Sequence, residues 1–163
     1  MRRLHPLLLV LAVALLALFF ANVEIQIEGP HGWAAKLPVT FRMEGHWALN
    51  LFWGGRPLTG YHAWIFSFML LAFHLPLVFA WQWSARLEAR ALGCVMLFWV
   101  IEDLLWFVLN PAYGWGRLIS KQVSWHRHWL LGLPTDYWTF SIGAVLLIGF
   151  SFWRGPRAGA RSD

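Results

Sequence analysis

Residues 99–111 read WVIEDLLWFVLNP, a run of Trp, Val, Ile, Leu and Phe that suits lipid everywhere except at Glu102 and Asp103. Which solvent surrounds that acid pair decides the fold. The chain is 59% hydrophobic and 13% charged, with a mean hydropathy of +0.53. That is too apolar for a soluble domain, whose surface must be hydrated. Lipid is therefore the expected solvent, and 163 residues allow a single integral membrane domain.

About 20 apolar residues cross the roughly 30 Å hydrocarbon core of a bilayer. Four runs approach that length: 4–20, 63–83, 91–110 and 137–153. The expected fold class is an all-α membrane protein, a four-transmembrane-helix bundle whose short first and last spans stand nearly upright or thin the bilayer. Two outer loops, 21–60 and 111–136, and a cytoplasmic tail, 154–163, complete the chain. The first span competes with a signal peptide, because Arg2 and Arg3 precede it as an n-region precedes an h-region. No small-x-small cleavage site follows in Ala17 to Asn22, so an uncleaved anchor is expected.

Basic residues orient the bundle. Arg2 and Arg3, Arg86 and Arg90, and Arg154, Arg157 and Arg161 crowd the short segments, whereas Lys36, Arg42, Arg56, Arg117, Lys121 and Arg127 are spread through the long loops. The positive-inside rule then places both termini in the cytoplasm of a bacterial-type inner membrane. The net charge of +5 reads as an orientation signal facing anionic lipid, and no folded basic domain exists to bind nucleic acid. Tryptophan fits the same layout, with Trp81, Trp83 and Trp153 at the inner boundary and Trp64, Trp115, Trp125, Trp129 and Trp138 at or near the outer one. Trp99 and Trp106 stand apart, flanking the acid pair within the third span.

The outer loops are too apolar to float in water and too broken by Gly and Pro to span, so an ordered extracytoplasmic cap is expected. Residues 23–28, VEIQIE, alternate strictly and read as a short β-strand with one acidic face. Cys94 is alone, which rules out a disulfide framework and a dithiol pair and leaves a packed thiol.

An ionised acid near a helix centre costs about 2.5–3.5 kcal/mol on insertion scales, so Glu102 and Asp103 should face a partner, a wet cavity or the bundle interior. Successive helical residues diverge by about 100°, and the two acids should make different contacts. His74 is the partner offered by the second span. Counting about 1.5 Å per residue from each outer end places it within one helical turn of Glu102 in depth. Pro76 frees the carbonyl of Ala72 beside it, and Ser67 extends the polar stripe.

A second source of partners is the loop motif WHRHW. In an extended segment His126 and His128 project to one side and can chelate a metal. Glu24, Glu28, His31, Glu44, His46, His62 and Asp136 fall on the same outer side. Nitrogen and carboxylate donors without a thiolate suit a divalent transition metal, Zn, Fe, Mn or Cu. The spacing matches no HExxH motif, desaturase-type histidine boxes or paired helical haem histidines.

Three function classes follow. One is a metal-dependent or carboxylate-based enzyme acting at the outer face on a lipid or other apolar small molecule, with Glu102, Asp103 and His74 catalytic and His126, His128 and Glu102 holding the metal. The second is a proton-coupled transporter or relay subunit, which with four spans requires a homo-oligomer or larger membrane complex. The third is a non-catalytic accessory or assembly protein in which the same residues are structural.

Overall fold

The computed structural model describes residues 5–28, 40–119 and 122–153. His31, Gly29, Pro30, Gly32, Lys36, Lys121 and the two terminal arginine groups lie outside them. The protein is mostly helical: α1 (Pro6–Glu28), β1 (Arg42–Met43), α2 (Trp47–Phe52), β2 (Leu58–Thr59), α3 (Gly60–Phe79), α4 (Ala85–Leu109), α5 (Gly114–Ile119), β3 (Trp129–Leu130), β4 (Leu133–Pro134) and α6 (Thr135–Phe152).

Three helices, α1, α3 and α4, are long and apolar enough to cross a membrane. α6 is not among them. It has 18 residues, and its first turn carries Thr135 and Asp136, so any window as long as the helix takes in polar groups.

α4 lies at the centre and packs against α1, α3 and α6. Small residues allow the close approaches. A side chain at Gly93 would press within 3.1 Å of the Ile148 backbone nitrogen on α6, and Ala17, Ala21 and Ala144 are buried to 1% or less. Apolar side chains that face outward, such as Leu8, Phe19, Phe68, Leu71 and Val145, suit a lipid environment.

The α3–α4 connection sets the register of the whole assembly. Trp81 adopts a left-handed conformation, φ 51°, and the Gln82 amide donates to the Leu77 carbonyl, ending α3 with a tight reversal. The Ser84 hydroxyl accepts from the Leu87 amide and caps α4. We call this the turn end. The opposite, loop end carries two antiparallel hairpins: β1–β2 pairs Arg42 with Thr59, and β3–β4 pairs Trp129 with Pro134. A core of Ala21, Trp106, Phe107, Leu118, Val123 and Trp125 binds the second loop to α1 and α4.

The structure corrects the reading of residues 23–28. They are the last turns of α1, a helix that runs well past residue 20, and not a strand. The inward residues Val13, Ala17, Ala21, Glu24 and Glu28 follow one another at intervals of four, four, three and four, one face of a helix. Trp125 is likewise no headgroup anchor. It is 7% exposed and stacked on Phe107 at 6.0 Å.

Candidate functional site

Helical geometry explains why acids gather at the loop end. Glu24 and Glu28, four residues apart, stand one above the other on α1 and face α4 where Glu102 and Asp103 lie. Glu102 is 2% exposed and comes within hydrogen-bonding reach of Glu24. Two carboxyl groups bond to each other only across a proton carried by one of them. The Tyr61 hydroxyl, in the first turn of α3, donates to Glu24 Oε1 at 2.8 Å. Tyr61, Glu24 and Glu102 thus form a chain of three exchangeable groups.

Asp103 points elsewhere, as the 100° divergence requires. It accepts from the Tyr137 hydroxyl and lies 3.6 Å from Arg56 Nη1. Arg56 is 4% exposed, donates to Asp136 and stacks over Trp53 at 4.1 Å. The loop before it makes this burial feasible. Gly54 and Gly55 both have positive φ, 60° and 74°, and a side chain at Gly54 would stand 3.1 Å from Asp136 Oδ1. His126 sits between the aspartates, with Nε2 3.4 Å from Asp103 and Nδ1 3.7 Å from Asp136. At those distances charge is felt, but neither contact closes a hydrogen bond of normal geometry.

These groups surround a cavity of about 40 Å³ lined by Glu24, Glu28, Arg56, His62, Glu102 and Asp103, and walled by Trp53, Phe66, Trp99 and Trp106. Among the described residues Glu102 Oε1 and Trp106 Nε1 have no hydrogen-bond partner there. A polar space of that size accommodates a few water molecules or one small polar group. His62 is buried against it, its Nδ1 2.6 Å from the Thr59 hydroxyl.

Two sequence expectations fail on geometry. His74 does not approach Glu102. Its Nδ1 contacts the Leu70 carbonyl at 2.6 Å and its Nε2 lies 3.0 Å from Glu88, fourteen residues and about 21 Å along α4 from Glu102. Counting depth from Asn110 misleads because α3 and α4 are registered by the 80–84 turn, which sets His74 beside the first turn of α4. The tandem histidines also part company. His126 is buried, whereas His128 is exposed on the loop, with its ring against Gly55 and its carbonyl accepting from the Thr135 amide at 3.0 Å. Among the described residues no three His, Cys, Asp or Glu side chains are grouped to hold a metal ion. Between Asp103 and Asp136, where a cation would be held, stands the Arg56 guanidinium.

Other expectations find simple places. His46 caps α2, accepting from the Ala48 amide, and His5 does the same for α1 at Leu7. Cys94 is a buried free thiol. Glu44 lies on an exposed loop, where Arg42 beside it holds its carboxyl below the usual range. Residues that sequence reasoning passed over are Arg56, Tyr61 and Tyr137. Tyr61 and Tyr137 carry a positional signal, each lying in the first turn of an apolar helix, whereas Arg56 lies on the loop before β2 and carries none.

No protein-family model matches the chain, and neither a curated protein nor a solved structure is significantly similar to it.

Proposed function

We propose that this chain is a four-span membrane protein, with both termini cytoplasmic, that performs acid–base chemistry at its outer face on a lipid or other apolar molecule. The observation that carries the reading is the Glu24–Glu102 contact beside a small polar cavity. One carboxyl of such a pair can give a proton while the other accepts one, the two roles that general acid–base catalysis needs. Tyr61 holds Glu24 in place by its hydrogen bond, and Arg56 with Asp103, Asp136 and Tyr137 supplies a fixed polar frame next to the pair. The described donors favour this over metal chemistry, since the Arg56 guanidinium already occupies the space between Asp103 and Asp136 and pairs with both.

α6 serves as the fourth span in this reading. It presents Ile142, Val145 and Leu146 outward, 55%, 71% and 66% exposed, as α1 presents its leucines. Orientation rests on the arginine-dense turn end and termini. A cytoplasm-specific reporter after Asp163 should be active, and single cysteines at 40–46 should react with an impermeant thiol reagent from outside. Labelling of Arg86→Cys from outside would reverse the orientation.

A relay across the membrane is the weaker reading. An apolar cluster of Val13, Ala17, Met69, Cys94 and Phe98 lies between Glu102 and the turn end. The test of the enzyme reading is comparative mass spectrometry of lipids from cells expressing the wild type or Glu102→Gln. A lipid pool altered by the wild type and unaltered by the variant is expected. Identical profiles with wild type, variant and empty vector overturn it.

A further inference from the structure

A second cavity, about 450 Å³, lies beside the acid cavity and has the opposite character. It is a lateral groove between α2, α3, α4 and α6, lined by Leu49, Phe52, Leu58, Leu70, Val95 and Phe140, with the Ser67 hydroxyl among them. That volume lies in the range of small-molecule sites. Phe52 and Leu70 at its edge are 49% and 41% exposed, so the groove meets the surface that faces lipid. The two cavities share a wall of three rings: Trp53 meets Phe66 edge-on at 4.7 Å, and Phe66 meets Trp99 edge-on at 4.5 Å. Arg56 stacks on Trp53, tying the wall to the polar frame.

We infer that the groove receives the hydrocarbon chain of a single-chain amphiphile whose small hydroxyl or carbonyl head passes the Trp53–Phe66–Trp99 wall into the acid cavity. This rests on the acid–base reading and names its substrate class. Size decides the head group, because about 40 Å³ admits a hydroxyl or carbonyl but not a phosphodiester headgroup. Chemistry decides its polarity. Glu102 Oε1 can accept from a hydroxyl and Trp106 Nε1 can donate to an oxygen, and neither atom has a hydrogen-bond partner among the described residues. The chain gains contact with the apolar walls of the groove, whereas the head replaces water hydrogen bonds with protein ones.

The test uses the full chain in phosphatidylcholine nanodiscs with a long-chain alcohol carrying a diazirine near its middle. Photolysis should place adducts on peptides containing residues 48–58, 67–70 and 95–99, and an unlabelled alcohol of equal length should compete whereas the matching alkane should not. Ser67→Trp, which fills the groove from an exposed position, should abolish these adducts. Val145→Trp, on the outward face of α6, should leave them unchanged. Equal labelling of the outward faces of α1 and α6, or equal competition by the alkane, overturns the inference. The two readings fail separately. Adducts absent while the lipid pool is altered by the wild type and not by Glu102→Gln overturn the groove alone, whereas groove adducts with identical profiles for wild type, variant and empty vector uphold the groove and overturn the acid–base reading.

Discussion

A histidine meets a carboxylate at each end of the helices, and the two ends treat the pair differently. At the turn end His74 lies 3.0 Å from Glu88, both partly exposed, and Glu88 also accepts from Trp83 Nε1 at 3.1 Å. At the loop end His126 has no exposed side-chain surface and stands between Asp103 and Asp136, with a buried arginine and a tyrosine in the same network. The turn-end group is complete within itself: its members satisfy one another and water reaches them. The loop-end group has more acids than cations and, among the described residues, buried polar atoms at Glu102 and Trp106 without a hydrogen-bond partner. Burial of unmatched chemistry is expensive, and such burial marks a working site more reliably than the residue types do.

The largest expected effect that sharpens this contrast comes from Arg56. Arg56→Met removes the cation shared by Asp103 and Asp136, leaving buried carboxylates uncompensated, and should cost about 3–5 kcal/mol. Thermal unfolding in detergent should show it as a large drop in Tm, with Asp136→Asn partly restoring the double variant. Tyr137→Phe comes next. It deletes a hydrogen bond to a charged acceptor and should cost about 1.5–3 kcal/mol. At the turn end Glu88→Gln should cost no more than about 1 kcal/mol, as exposed pairs do. A turn-end loss matching that of Arg56→Met would erase the distinction between the two regions. The smallest effect belongs to Glu44, whose carboxyl is held below its usual range by Arg42. Pairing that lowers a carboxyl helps above its unfolded titration and is lost as pH falls through its folded one. This pair is fully exposed, so Glu44→Gln should leave Tm unchanged at neutral pH in physiological salt.

The sequence made part of each end legible and hid the rest. Membrane class, three of the spans and the separate contacts of Glu102 and Asp103 follow from apolar run lengths and from helical divergence alone. The error at 23–28 came from a pattern that two periods can share: VEIQIE alternates, yet Glu24 and Glu28 also continue the helical series of Val13, Ala17 and Ala21. His74 was misplaced because depth was counted from the outer ends, whereas the short turn at 80–84 fixes the register. Arg56 and Tyr137 are brought to Asp103 by loops whose paths depend on the positive-φ glycines and the second hairpin. Nothing in local periodicity reveals such a path.

Infrared spectroscopy of the protein in nanodiscs at neutral pH tests most directly whether the loop end holds a shared proton. The expected result is a protonated-carboxyl C=O band in the wild type that Glu24→Gln and Glu102→Gln each remove or displace, while Glu88→Gln changes only the ionised-carboxylate region. Spectra in which neither Glu24→Gln nor Glu102→Gln alters a protonated-carboxyl band would contradict the proton-sharing pair.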